Sequence, residues 1–163
     1  MTSHSPAILI VCTANICRSP MAEGLLKNLV RQEIEGDHTW RIESAGTWTR
    51  KGFPAAPFSI QTMAARGIDI SQHLSQSIEE VALDEFDLIL TMEAGHKEAI
   101  LVEFPFVRGR VLMISELVNQ KTSIFDPVGL PVEVFQKTAD HLDHLIRNGL
   151  PMILEKLGLP NSD

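Results

Sequence analysis

The sequence predicts a single α/β domain built on a four-stranded parallel sheet with helices on both faces. The chain has 163 residues, the size of one domain, and we expect one unit over residues 1–163 with a flexible segment at 1–6. Hydrophobic residues make up 44% of the chain and charged residues 21%, which is typical of a globular protein. Short aliphatic segments alternate with longer helical patterns, and this alternation is typical of βαβ units, in which helices join parallel strands.

The first strand is the most clearly marked element. Residues 7–11 form an unbroken aliphatic run, Ala-Ile-Leu-Ile-Val, which indicates a strand buried on both faces of the sheet. The other strands are predicted in shorter apolar segments at 40–46, 86–92 and 110–114.

Helical patterns fill the intervals between and after these strands. Helices are predicted at 20–35, 59–66, 75–83, 94–103 and 132–157. Ser19 and Pro20 mark the start of the first helix as its N-cap and its first residue. In the last helix, Asn148 and Gly149 indicate either a kink or a break between two helices.

The composition excludes several classes of function. A net charge of −7 argues against binding to nucleic acid, which requires a basic surface. No apolar run is long enough to span a bilayer, and residues 1–6 lack the basic segment of a secretory signal, so we expect a cytoplasmic protein without a membrane partner. The two cysteines, Cys12 and Cys17, are too few and too close together to form a disulfide framework.

The segment between the first strand and the first helix contains a Cys-x5-Arg spacing, from Cys12 to Arg18. The spacing alone carries little weight, but the segment lies at the carboxyl end of a strand, where α/β sheets bind ligands. Its backbone N–H groups and the helix N-terminus can surround an anion, and the Arg18 guanidinium can bind two phosphate oxygens. The same field favours the thiolate of Cys12, a nucleophile aimed at phosphorus. The alternative is a buried, inert cysteine.

Two polar residues of this segment have predicted roles of their own. Asn15 is expected to hold the loop in a left-handed conformation, which Asn tolerates, and the Ser19 hydroxyl can donate a hydrogen bond to the Cys12 thiolate. The complete phosphate-binding loop after the nucleophile would comprise Thr13, Ala14, Asn15, Ile16, Cys17 and Arg18.

Attack of a thiolate on a phosphate ester also requires a proton donor for the leaving oxygen. Asp126 stands out among the 21 acidic residues because it lies in a late loop rich in Pro and Gly, at 125–131. An Asp-Pro pair is more often the start of a turn, so the residues alone leave the role of Asp126 open.

One further cluster has the residue types of a metal site. His141 and His144 are spaced with Asp140 and Asp143 along the last predicted helix. A metal would require all of these side chains to converge, and a solvated helix face is the favoured interpretation.

The segment from Val11 to Glu23 reads Val-Cys-Thr-Ala-Asn-Ile-Cys-Arg-Ser-Pro-Met-Ala-Glu. It resembles the signature of the low-molecular-weight protein tyrosine phosphatases, and the resemblance continues along nearly the whole chain at 44–47, 67–69, 87–92 and 126–127. It implies a metal-independent hydrolase without cofactors that cleaves phosphotyrosine and small aryl phosphates through a cysteinyl-phosphate intermediate. The partner would be a phosphotyrosine-containing protein, and the oligomeric state stays open.

The resemblance also implies a role for each site residue. Cys12 would be the nucleophile, Arg18 and the loop amides would hold the phosphate, and Asp126 would be the acid in a loop above it. His73 would join Ser44 and Asn15 in a hydrogen-bond network behind the loop; the alternative is a solvated loop histidine.

Cys17 and the rim of the site are the remaining features that the resemblance interprets. Cys17 would form a reversible disulfide with Cys12 that protects the nucleophile from over-oxidation. Trp48 and Val128 are candidates for the substrate groove, in which family members often carry tyrosines. This chain has no tyrosine, so stacking on a phosphotyrosine ring is expected to be weaker.

Four other functions share features of this loop. An arsenate reductase would need further cysteines downstream, and the chain has none. A protein arginine phosphatase is expected to have Thr at the position of Ile16, so Ile16 favours phosphotyrosine. A phosphocarrier subunit of a sugar transport system would not need Asp126 as an acid. A non-catalytic phosphate-binding module would not need the complete set of Cys12, Arg18 and Asp126.

Overall fold

The computed structural model describes residues 5–36 and 39–161 of the chain. Four strands form one parallel sheet: β1 (Ala7–Cys12), β2 (Arg41–Gly46), β3 (Leu88–Thr91) and β4 (Val111–Met113). Their order across the sheet is β2-β1-β3-β4, which places β1 in the interior next to both β2 and β3. The predicted fold class is confirmed. The prediction of a flexible segment at 1–6 falls mainly on residues 1–4, which lie outside the described residues.

Four α-helices accompany the sheet: α1 (Arg18–Glu33), α2 (Pro57–Ala64), α3 (Ala94–Glu103) and α4 (Val132–Lys156). None of the helices in the described ranges is long and apolar enough to cross a membrane. The helix predicted at 75–83 is wrong, because this part of the chain forms two separate 3₁₀ turns, Ile78–Glu80 and Leu83–Glu85. Val81 between them adopts extended backbone geometry, which ends the first turn.

The alternating side chains of β1 pack on the two faces of the sheet. Ile8 and Ile10 belong to the larger hydrophobic cluster, which includes buried side chains of α1 and α4. Leu9 and Val11 belong to a second cluster with Ile100 of α3. Each fully buried aliphatic side chain contributes about 1.5–3 kcal/mol. Helices therefore cover both faces of the sheet, as predicted, and their packing holds the end of β1 in place.

The N-terminus of α1 differs from the prediction. The helix begins at Arg18, so Cys17 and not Ser19 occupies the cap position, and no side chain caps the helix. The Ser19 hydroxyl contacts Cys12 Sγ instead, at 3.0 Å. The Cys17 side chain thus makes no capping hydrogen bond to the first-turn N–H groups, as expected of a helix that faces an anion.

The last helix, α4, continues without a break from Val132 to Lys156, so the alternative of two helices is wrong. Gly149 serves close packing, since a Cβ atom there would lie 2.6 Å from Leu117 Cβ. The glycine in this helix therefore allows the approach of a neighbouring segment and does not end the helix.

Candidate active site

The predicted site residues meet at one edge of the sheet, where the parallel strands end. Cys12 is the last residue of β1, and the loop that follows it leads into the N-terminus of α1. The side chains of Cys12 and Arg18 are both buried, each with 2% exposure. The segment after β3 and the loop that contains Asp126 reach the same edge, where both contact Arg18.

The Cys12 sulfur accepts hydrogen bonds from two groups of its own loop. The Asn15 backbone N–H lies 3.3 Å from Sγ, and the Ser19 hydroxyl lies 3.0 Å from it. The Asn15 side-chain amide donates to Ser19 Oγ at 2.7 Å, which leaves the single Ser19 proton for the sulfur. The contact expected between Ser19 and Cys12 is therefore present, and both donors point at the sulfur.

Asn15 organises the hydrogen bonds behind the loop. It has the predicted left-handed conformation, with φ of 59°, and its side chain is fully buried. The side-chain amide also donates to Ser44 Oγ at 2.9 Å, while Oδ1 accepts from the Gln76 N–H at 3.0 Å. His73 Nε2 donates to the Asn15 carbonyl at 2.7 Å. The hydrogen bonds expected among His73, Ser44 and Asn15 are therefore present.

Neighbouring segments also fix the backbone of the loop from outside. The Trp48 N–H donates to the Thr13 carbonyl at 2.9 Å, and the Ala56 N–H donates to the Ile16 carbonyl at 2.8 Å. Gly46 lies so close that a Cβ atom there would be 2.5 Å from the Thr13 oxygen. These contacts hold the loop carbonyls outward, which leaves the loop N–H groups to face the interior.

Arg18 is held on one side by a carboxylate and a backbone carbonyl. Its Nη1 donates to Glu93 Oε2 at 2.8 Å and to the Ile124 carbonyl at 2.9 Å. Its Nη2 lies 3.5 Å from both Thr13 Oγ1 and Asp126 Oδ2. Since the short contacts use both protons of Nη1, the Nη2 and Nε side of the guanidinium remains for an anion.

Asp126 makes the contact of a turn and also lies beside Arg18. Its Oδ1 accepts from the Val128 N–H at 3.2 Å, the contact of an Asx turn. Its other oxygen, Oδ2, lies beside Arg18, and the side chain is 41% exposed. The carboxyl group therefore both starts a turn and stands at the mouth of the loop, within reach of a group bound to Arg18.

The structure adds residues that sequence reasoning missed. Glu93 lies two residues after β3, at the sheet edge where Cys12 also lies, and that position was the signal that could have identified it. Glu23 accepts from the Ser44 hydroxyl at 2.7 Å. His96, near the start of α3, lies 2.8 Å from Thr13 Oγ1 through Nε2. Burial, followed by the charge of Arg18, lowers the pKa of His96 from its ordinary value.

The two candidates for the substrate groove line neighbouring grooves. Trp48, 85% exposed, lines a groove of about 860 Å³ together with Ala14 and Ile16 of the loop. Val128 lines a smaller groove of about 320 Å³ that includes Cys17. The segment Ala56–Pro57 borders both grooves, so it is the wall between them.

The predicted solvated face of α4 is occupied by ion pairs. Asp140 pairs with Arg66, and Asp143 pairs with Arg147 at 3.1 Å. No group of three or more potential metal ligands of the types His, Cys, Asp and Glu is found among the residues that the structure describes.

Cys17 differs from Cys12 in its chemistry, although both thiols are free and buried. Burial, together with the charges of Asp126 and Cys12, raises the pKa of the Cys17 thiol to about 12, against the opposing effect of Arg18. A thiol with such a pKa stays protonated near neutral pH and is a poor nucleophile.

We therefore expect iodoacetamide at pH 7.5 to alkylate Cys12 and to leave Cys17 unmodified. Peptide mass spectrometry would locate the label, and inorganic phosphate in the site should slow the modification of Cys12. Label on Cys17 at a rate equal to that on Cys12, in folded protein, would contradict this prediction.

The family is decided by comparison with known proteins. The model of the family described as low molecular weight phosphotyrosine protein phosphatase matches residues 7–157. The chain belongs to this family. The match includes the loop from Cys12 to Arg18 and the loop that contains Asp126. The predicted hydrolase of phosphoric monoesters is confirmed at the level of the family.

Individual relatives of this phosphatase carry two kinds of name. A probable low molecular weight protein-tyrosine-phosphatase, EpsP, from Ralstonia nicotianae is 34% identical over 90% of this chain and 94% of that protein. A protein-arginine-phosphatase from Bacillus subtilis is 33% identical over 86% of this chain and 91% of that protein. The crystal structure of the low molecular weight protein tyrosine phosphatase from T. tengcongensis has a TM-score of 0.84 at 36% identity, over 91% of this chain and 99% of that one.

Proposed function

We propose that this protein hydrolyses phosphotyrosine in proteins, and small aryl phosphates, without a metal ion and through a cysteinyl-phosphate intermediate. The observation that carries the proposal is the position of Cys12 Sγ at the start of the loop that ends in the buried Arg18. Two hydrogen-bond donors, the Ser19 hydroxyl and the Asn15 N–H, contact the sulfur at 3.0 and 3.3 Å. A thiolate, a buried guanidinium and a helix N-terminus together suit attack on a bound phosphate.

The first step transfers the phosphoryl group to sulfur. Cys12 Sγ attacks phosphorus, the bond from phosphorus to the ester oxygen breaks, and Asp126 donates its proton to the leaving oxygen. The loop amides and the Nη2 side of Arg18 bind the three non-bridging oxygens, over which the charge of the transition state is spread.

The second step releases phosphate. Asp126, now ionised, takes a proton from a water molecule that attacks the cysteinyl phosphate, and the S–P bond breaks to restore the Cys12 thiolate. The position of Asp126 at the mouth of the loop, 3.5 Å from Arg18 Nη2, supports both roles.

Phosphotyrosine is favoured over phosphoarginine by the wall of the larger groove. Ala14, Ile16 and Trp48 give this wall an apolar surface beside the loop, which fits an aromatic ring. The guanidinium of phosphoarginine carries several N–H donors, and the aliphatic side chain of Ile16 offers them no acceptor. Phosphoarginine remains the second candidate because two relatives are named protein-arginine-phosphatase.

A substrate comparison in the presence of EDTA tests this function. We expect the wild-type protein to hydrolyse p-nitrophenyl phosphate and a phosphotyrosine peptide, with kcat/KM for the latter at least about 10-fold above that for a matched phosphoarginine peptide. Ile16→Thr should lower this ratio, since it places a hydroxyl in the wall. Lack of activity with EDTA, or a preference for phosphoarginine, would overturn the proposal.

We also propose that the protein acts in a reducing compartment, the cytoplasm. Both cysteines are free and buried in the structure, and attack by Cys12 requires a reduced thiol. The reversible disulfide between Cys12 and Cys17 stays a prediction. After peroxide treatment, mass spectrometry should show the disulfide; two free thiols, or a Cys12 sulfinic acid, would contradict it.

A further inference from the structure

His96 is a buried side chain of the site that the catalytic steps above do not use. It lies near the start of α3, and its exposure is 6%. The ring is close to both the phosphate-binding loop and the carboxylate that holds Arg18.

The surroundings of the ring select one tautomer. Nε2 lies 2.8 Å from Thr13 Oγ1 and 3.5 Å from Glu93 Oε2. An ionised carboxylate only accepts hydrogen bonds, so the proton belongs on Nε2. Nδ1 is buried and has no hydrogen-bond partner among the described residues, so a proton there would be unpaired. The neutral ring with the proton on Nε2 satisfies these contacts best.

This tautomer defines how the Thr13 hydroxyl is used. Thr13 Oγ1 accepts from His96 Nε2, and it also lies 3.5 Å from Arg18 Nη2, a group that only donates. With both neighbours donating, the hydroxyl proton of Thr13 points away from them. His96 thus determines the orientation of a hydroxyl that lies next to the anion-binding side of Arg18.

The side chains of Glu93, His96 and Thr13 form a ring of contacts with Arg18. Glu93 Oε2 accepts from Arg18 Nη1 at 2.8 Å and lies 3.5 Å from His96 Nε2. His96 contacts Thr13, and Thr13 lies beside Arg18 Nη2. The charged groups that act on His96 are Arg18, Glu93 and Asp126. The neutral imidazole therefore bridges the two supports of the guanidinium without adding a positive charge beside it.

We propose that His96 is a positioning residue for the phosphatase reaction: by donating from Nε2 to Thr13 it fixes the Thr13 hydroxyl and the Arg18 guanidinium in the geometry that binds the transferring phosphoryl group. The inference rests on the proposed function of the site. A misplaced guanidinium weakens binding of the transition state more than binding of the substrate. Loss of the His96 contact should therefore lower kcat more than it raises KM. In this assignment His96 acts through Thr13 and touches no reacting atom.

The test compares His96→Leu, His96→Gln, Thr13→Val and the double variant His96→Leu with Thr13→Val. We expect His96→Leu to lower kcat for p-nitrophenyl phosphate by about 10- to 100-fold with KM changed less than about threefold. Gln places an amide N–H near the position of Nε2, so His96→Gln should recover activity to within about threefold of wild type. His144→Leu, an exposed histidine of α4, is the matched control.

The double variant separates positioning from simple stability. If His96 acts through Thr13, Thr13→Val and the double variant should lose about as much kcat as His96→Leu alone, because the shared contact can be lost only once. Additive losses, wild-type kcat in His96→Leu, or a Gln variant as slow as the Leu variant would each overturn the inference. Should His96→Leu not fold, the kcat values of His96→Gln and Thr13→Val decide it: near wild type for Gln and low for Val supports the role, and any other pattern overturns it.

The failure of this inference is distinguishable from failure of the proposed function. Inactive wild-type protein would overturn the phosphatase assignment. Active wild-type protein with unchanged kcat in His96→Leu would overturn only the role of His96.

Discussion

Replacing Cys12 with Ser should abolish turnover, with kcat at least about 10,000-fold lower. The site offers two hydrogen bonds to the atom at this position, from the Asn15 N–H and the Ser19 hydroxyl. Two such contacts suit a thiolate, but a serine hydroxyl stays protonated near neutral pH, and no general base contacts Cys12 Sγ among the described residues. Hydrolysis of p-nitrophenyl phosphate with EDTA present measures the loss.

Binding measurements on the same variant distinguish a lost nucleophile from a damaged site. Cys12→Ser keeps Arg18 and the loop amides, so inorganic phosphate should bind to it with an affinity within about 10-fold of wild type, as measured by calorimetry. Retained hydrolytic activity in Cys12→Ser would contradict the covalent mechanism. Loss of both activity and phosphate binding would mean that the substitution had disrupted the loop.

The sheet and the loop could be predicted because their signals are local. The aliphatic run of β1 and the alternation of strands and helices identify a parallel sheet, and the carboxyl end of a strand is where such sheets bind ligands. Cys12 and Arg18 lie in one short loop, so their spacing is visible in the sequence. The left-handed conformation of Asn15 likewise follows from its residue type.

The supports of Arg18 could not be predicted in the same way, because they come from distant parts of the chain. Glu93 and Arg18 are 75 positions apart, and His96 and Thr13 are 83 positions apart. Only the packing of α3 and the order of the strands bring these pairs together. The position of Glu93 shortly after the carboxyl end of β3 was a usable signal, whereas a histidine in the first turn of a helix has none.

At two positions the local sequence pattern predicted a wrong helix boundary, because the residue there serves a tertiary contact. Ser19 before Pro20 has the pattern of an N-cap, but its hydroxyl contacts the Cys12 sulfur and the helix starts two residues earlier, at Arg18. Gly149 has the pattern of a helix end, but it allows close contact with Leu117 inside a continuous helix. In both cases a tertiary contact outweighs the local preference.

Replacing Asp126 with Asn should slow hydrolysis by an amount that depends on the leaving group. Asn is nearly isosteric and can accept from the Val128 N–H as Asp126 does, but it has no proton to give to the leaving oxygen. We expect a loss of about 100- to 10,000-fold in kcat for an alkyl phosphate, a poor leaving group, and a smaller loss for p-nitrophenyl phosphate. A series of aryl phosphates of graded leaving-group pKa measures this dependence.

The dependence of the rate on leaving-group pKa in that series distinguishes proton transfer by Asp126 from an electrostatic effect of its charge. If Asp126 acts as the acid, the rate of Asp126→Asn falls steeply as the leaving group becomes more basic, whereas the wild-type rate changes little because the proton compensates. Removing the carboxylate also frees Arg18 Nη2 from its neighbour at 3.5 Å, so phosphate binding should not weaken. Asp140→Asn, on the exposed face of α4, is the matched control. Equal losses for good and poor leaving groups would show that Asp126 acts by another means than proton transfer.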